Sequence, residues 1–144
     1  MKTGHITLKS QQAKQNQGFT LIEIMITVAI LAVIVAIAVP SYTRWVIKSN
    51  RAEGKAVTMQ TAQTLERCFT RFSSYDDAGC GVGDGDTVSS ENGKYSVAVE
   101  TDATTFTLTA TPAQPDLECD ALSLTHTGVR GISVAATATV DDCW

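Results

Sequence analysis

The apolar positions along this chain follow three successive patterns, and each predicts a different element. From Phe19 to Val39 they form a nearly continuous run of 21 residues. As a helix that run would be roughly 31 Å long, the thickness of a bilayer's hydrocarbon layer. Further on, Ala52, Ala56, Met59, Ala62, Leu65, Phe69 and Phe72 recur at three- and four-residue steps. This stripe predicts that the helix continues to about Ser73 with an apolar face packed on a sheet. Arg51, Lys55, Arg67 and Arg71 are assigned to its polar face. The segment from Tyr75 to Gly93 is polar and glycine-rich and reads as a loop. Then the period falls to two. KYSVAVET (Lys94–Thr101) and TFTLTATP (Thr105–Pro112), with Asp102-Ala103-Thr104 between them, predict a β-hairpin. ALSLTHTG (Ala121–Gly128) predicts a third strand ending in a turn, and the Ala/Thr-rich ISVAATATV reads equally as strand or loop. One long helix followed by an antiparallel meander of three to four strands is an α+β arrangement.

The chain of 144 residues suffices for one ordinary domain. Its 11 basic and 15 acidic side chains are unevenly placed: Lys2, Lys9 and Lys14 precede Phe19 with no acid among them. The remainder is therefore acidic, and bulk charge gives no support to direct nucleic-acid binding. A local basic patch of Arg44, Lys48, Arg51 and Lys55 is the one exception. The glycines of the 75–93 loop are followed by no Lys-Ser/Thr and preceded by no strand, so they do not form a phosphate loop. Asp84, Asp86 and Glu91 lack EF-hand spacing and read as solvated loop acids. His126 stands alone in a β pattern, without a nucleophile or an orienting partner. No catalytic residue, metal site or cofactor is expected, and the chain does not read as an enzyme.

Tyr42 and Trp45 follow the apolar run, where aromatic rings favour the headgroup layer, and strengthen a membrane reading. Glu23 complicates it, because a charged side chain within a span costs ~2.5–3.5 kcal/mol on insertion scales. Three versions compete. A secretory signal cleaved at Ala36-Ile37-Ala38 would have an apolar region about twice the usual length, with Pro40 at the second new position. A plain single-pass anchor would leave Glu23 snorkelling. The third version is a segment cut just before it becomes apolar.

Gly18-Phe19-Thr20-Leu21-Ile22-Glu23, joined to the apolar run, Pro40 and SYTRWVIKSNRAE, carries the third version. This join resembles the processing signature and helix of type IV prepilins. The resemblance implies a leader, residues 1–18, removed after Gly18 by a prepilin peptidase, with methylation of the new N-terminal Phe19. It implies that residues 19–40 span the membrane and later form the filament core, and that residues 41–144 form a globular pilin domain. Glu23 of one subunit would meet the Phe19 amine of its neighbour, so that an unpaired charge penalises the wrong register. Pro40 removes one backbone hydrogen bond, to the Ala36 carbonyl, and is expected to bend the helix. The 18-residue leader is longer than is usual where Phe comes first, and Ala32 stands where many such proteins carry glycine.

The four cysteines, Cys68, Cys80, Cys119 and Cys143, allow three connectivities in an exported protein. The expected pairs are Cys68–Cys80 and Cys119–Cys143, the second closing what pilins call the D-region. Basic residues flank the span on both sides without bias, so cysteines and resemblance together place the C-terminal domain outside the inner membrane, in the periplasm. Glu66-Arg67-Cys68 and Cys143-Trp144 look like PilE-type minor pilins. The partners so implied are major and minor pilins, the peptidase, the inner-membrane assembly platform and, before assembly, inner-membrane lipid. The implied end state is a cell-surface fimbrium serving pilus biogenesis, twitching motility, adhesion or DNA uptake. The alternatives are a type II secretion pseudopilin and a monomeric, membrane-anchored periplasmic binding module.

Overall fold

The computed structural model describes residues 18–144, so all of the expected leader except Gly18 lies outside the described residues. The chain divides into two compact units, Met1–Val39 and Pro40–Trp144. One helix, α1 (Leu21–Phe72), runs through both and contains Pro40. Thr20 opens it, and Ser73 closes it in the left-handed region (φ 56) while donating to the Phe69 carbonyl at 2.7 Å. Left-handed backbone is the usual way to end a helix, and Arg71 in the last turn suits the negative end of its dipole.

In Pro40–Trp144, α1 packs on a five-stranded antiparallel sheet of order β1-β2-β3-β4-β5: Thr87–Ser89, Tyr95–Thr101, Phe106–Pro112, Leu122–Thr125 and Arg130–Ile132. The β2–β3 hairpin falls where the alternation places it, with Val97 opposite Ala110 and Val99 opposite Leu108. Tyr95, Val97 and Val99 from β2, Phe106, Leu108 and Ala110 from β3, and Leu122 and Leu124 from β4 meet Val57, Ala62 and Leu65 of α1 in the core. Full burial of Leu65, Leu108 and Leu122 stabilises by about 1.5–3 kcal/mol each.

Three features differ from the sequence reading. The sheet has five strands rather than three to four, because both edges are three-residue strands too short to show a period. Beyond Ile132 the Ala/Thr-rich segment turns and ends in a short helix, α2 (Val140–Cys143). Thr139 and Asp142 form a capping box there, a T-x-x-D signal legible in the sequence. The buried face of α1 is also rotated from the expected stripe. It comprises Arg51, Gly54, Val57, Thr58, Thr61, Ala62, Leu65 and Cys68, whereas Ala52, Ala56, Met59 and Phe72 are exposed. Thr58 and Thr61 return their hydroxyls to the Gly54 and Val57 carbonyls at 2.8 and 2.9 Å, so each presents the core with a methyl group and no unpaired oxygen.

Candidate functional site

The N-terminal site begins at Gly18 and Phe19, both exposed. Thr20 and Glu23 form a second capping box: the Glu23 N–H donates to Thr20 Oγ1 at 3.3 Å, and the Thr20 N–H faces Glu23 Oε2 at 3.4 Å. The T-x-x-E signal was present in the sequence but hidden behind the question of the charge. These contacts are long, and weak accordingly. Within the subunit Glu23 thus helps to start α1, which also sets a carboxylate at the positive end of the helix dipole. From Leu21 to Val39 every large apolar side chain is at least 47% exposed. Such a surface, apolar all round, requires lipid or other helices to cover it. The boundary between the two units falls at Pro40.

In the second unit the strongest polar feature had no sequence signal. Arg51, assigned to the polar face of α1, is only 4% exposed and donates through Nε and Nη2 to Asp116 at 2.9 Å each. Its Nη2 also reaches Glu118 Oε2 at 3.2 Å. Sixty-five residues separate Arg51 from Asp116, so no local pattern could announce the pair. Asp116 Oδ1 further accepts the N–H groups of Glu118 and Cys119. Burial by itself would raise the Asp116 carboxyl, but the Arg51 bond, the Cys119 N–H and the guanidinium charge outweigh it and hold the group below its ordinary value. For Arg51, burial works downward and the bonds to Asp116 and Glu118 prevail upward. Burial, followed by the Asp116 charge, pushes the Tyr95 phenol up to about 12.

The basic patch is thereby rearranged. Arg51 leaves the surface, while Arg44, Lys48 and Arg130 are exposed and Lys55 is half-buried. Burial and then the charges of Arg51, Arg130 and Lys48 press the Lys55 ammonium below its ordinary value, which puts each of these three cations within electrostatic reach of Lys55.

Disulfides join Cys68 to Cys80 and Cys119 to Cys143. The first ties the end of α1 to the following loop. The second encloses β4, β5 and α2, whose loop is fixed further by the Thr137 and Ala138 N–H groups on the Glu118 carbonyl. Asp84 and Asp86 accept the Thr101 and Gly83 N–H groups. The His126 ring stands edge-on to Phe106 at 6.3 Å. Among the described residues, no three His, Cys, Asp or Glu side chains gather as a metal would need.

An exposed apolar helix behind a Gly-Phe junction, continuing into a disulfide-closed α+β domain, defines a membrane-inserted, helix-assembling subunit. The sequence model described as "Type IV minor pilin ComP, DNA uptake sequence receptor" matches residues 40–123, more than half of the chain. The "Prokaryotic N-terminal methylation motif" matches residues 13–39. Fimbrial protein EcpC of Eikenella corrodens is 30% identical over 130 residues, covering 88% of this chain and 76% of that protein. A fimbrial protein of Dichelobacter nodosus is 37% identical over 86 residues, or 57% of this chain and 51% of the relative. The major pilin PilA of Myxococcus xanthus is 39% identical over 62 residues, 43% of this chain and 27% of PilA. The matched part thus spans about half the length of the Dichelobacter relative and less of PilA. The chain belongs to the type IV pilins, and among them to the family of that minor-pilin model. The family is structural rather than catalytic.

Proposed function

We propose that this protein is a minor subunit of a type IV pilus. It enters the inner membrane as a single-pass precursor with the C-terminal domain in the periplasm. It is cut after Gly18 by prepilin peptidase, methylated on Phe19, and passed from the assembly platform into a filament of major and minor pilins. The observation that carries the reading is the exposed apolar run of α1 directly behind Gly18-Phe19, with Glu23 in its first turn. In the filament each uncovered helix is buried among its neighbours, and Glu23 pairs with the Phe19 amine of an adjacent subunit. Shearing tests this: a pilin is recovered in surface filaments with N-methylphenylalanine as its first residue. Retention of all the protein in the envelope would overturn it in favour of a pseudopilin or a monomeric anchor, and a mature N-terminus at Val39 in favour of ordinary secretion.

Among motility, adhesion and DNA uptake, the family description favours DNA uptake through direct DNA contact. Bulk charge argued against such contact, but the cluster of Lys48, Lys55 and Arg130 is a local exception in an acidic domain. Duplex DNA titrated against the detergent-solubilised protein should bind with an affinity that falls steeply with salt. Lys55→Glu and Arg130→Glu should each weaken binding. Affinity indifferent to both would remove this surface from the DNA-contact role.

A further inference from the structure

Between α1 and the β4–β5 turn lies a hollow of about 520 Å³. Its apolar lining is Met59 and Ala62 from the helix and Phe106 and Leu124 from the sheet. Phe106 and Leu124 are buried and form the floor, whereas Met59 is exposed. The walls are held in place. The Tyr75 ring meets Phe106 edge-on at 5.0 Å, and the His126 N–H donates to the Phe106 carbonyl at 3.1 Å. The turn closes through the Thr125 N–H on the Val129 carbonyl and the Gly128 N–H on the Thr125 carbonyl. Gly128 takes the left-handed backbone (φ 79) that this turn needs. A site built beforehand spares a ligand the cost of ordering it.

The charge at the rim selects the occupant. Arg67 and Arg130 both line the hollow. Arg67 donates through Nε to the Gln63 carbonyl at 3.1 Å, and the Arg130 guanidinium lies over the Trp144 ring at 5.4 Å. Among the described residues Arg51 is the only cation in an ion pair, so no carboxylate is within that reach of Arg67 or Arg130. Glu66 also lines the hollow, and its Oε1 accepts the Tyr75 hydroxyl at 3.0 Å. The rim thus carries two guanidinium groups against one carboxylate, beside an apolar floor. Planar guanidinium forks match a carboxylate. A phosphate backbone would engage the forks and leave the floor uncovered. An extended peptide finds no ladder here, because the Gly131 carbonyl of edge strand β5 already accepts Trp144 Nε1–H at 2.9 Å. The volume falls in the range of small-molecule sites, about 300–1,000 Å³.

We propose that this hollow binds a small amphipathic carboxylate. Its aromatic or branched body lies on Phe106 and Leu124, and its carboxylate is held by Arg67 and Arg130. The site lies wholly within Pro40–Trp144 and does not depend on the pilus reading. Arg130 is shared with the cluster assigned to DNA contact, whereas Arg67 is not, so Arg67 separates the two roles.

The test uses the full chain in phosphatidylcholine nanodiscs with methyl-labelled methionine, and phenylbutyrate as the probe. Met59 reports from the hollow and Met25 from the apolar run of α1. Phenylbutyrate should shift the Met59 methyl signal saturably and leave Met25 unmoved. Phenylbutanol lacks the charge and acetate lacks the body, so each should bind weaker by about five-fold or more. Arg67→Gln should weaken phenylbutyrate by about five-fold, and Arg67→Lys by less, since it keeps the charge without the fork. An unmoved Met59 signal in the unaltered chain would overturn the site, as would phenylbutanol binding as tightly as phenylbutyrate. Parallel, unsaturated shifts of Met25 and Met59 would mean partition into lipid and overturn it too. A Met59 shift produced by duplex DNA, with none from phenylbutyrate, would assign the hollow to DNA contact and overturn the carboxylate site.

Discussion

Glu23 has a weak partner within its own chain, and that determines how it can act between chains. Its contacts to Thr20 lie at 3.3–3.5 Å, enough to help start a helix but too long to neutralise a carboxylate. An incoming amine can therefore displace Thr20 at little cost. Glu23→Ala should still insert, and more readily, because the charge is expensive in lipid. It should still be cleaved, and its incorporation into sheared filaments should fall, since a neighbour's buried amine without its partner costs ~3–5 kcal/mol. Undiminished incorporation, measured by immunoblot of sheared pili, would deny the carboxylate an assembly role. Asp116 provides a second expectation at this scale. Its carboxyl sits below the ordinary value in the fold, so its contribution is complete at neutral pH. That contribution is lost as the pH falls below about 4 and through the lower native value. Urea unfolding at neutral pH and near pH 3 should show a stability loss that is smaller in Asp116→Asn, whose neutral-pH stability is already reduced.

At the scale of elements, the β2–β3 hairpin and the extent of α1 were legible because each repeats a period over many residues. The face that α1 buries was legible only toward its C-terminal end, where Ala62 and Leu65 are buried and Phe69 packs against the core as the stripe predicts. Hydrophobicity points to Ala52, Ala56 and Met59, yet the sheet receives Gly54, Thr58 and Thr61, which pack closely because they are small or satisfy their own hydroxyls. Gly54 shows the cause most directly. A Cβ there would lie 2.6 Å from the Tyr95 ring, so the helix backbone rests on the aromatic face. Helix propensity alone would make Gly54→Ala stabilising by about 1 kcal/mol. The overlap with a buried ring should reverse the sign and give a net loss of about 1–2 kcal/mol after that gain is set against overpacking. A higher melting temperature for Gly54→Ala would show that the Tyr95 ring can move aside.

For the molecule as a whole, the division into an apolar helix and an acidic α+β domain could be read from the sequence, because a 21-residue apolar run and four cysteines are features of composition. The Arg51–Asp116 clamp could not, since it joins residues that only the folded sheet brings together. That clamp holds the same turn from which the second disulfide starts, so the two features should be coupled. Cys119–Cys143 closes a separation of 24 residues against 12 for Cys68–Cys80. Loop entropy alone makes its loss the larger by about 0.6 kcal/mol. Burial widens the gap: Cys119 and Cys143 are both fully buried, whereas of the other pair Cys68 is buried and Cys80 only half-buried. Replacing Cys119 and Cys143 together with serine should therefore destabilise the domain more than replacing Cys68 and Cys80, because one more hydroxyl is then buried without a designed partner. Adding Asp116→Asn to each background provides the coupling test in a double-mutant cycle. Its cost should shrink in the Cys119/Cys143 background, where the turn is already loose, and remain unchanged in the Cys68/Cys80 background. Equal costs in both backgrounds would show that the clamp and the disulfide stabilise the turn independently.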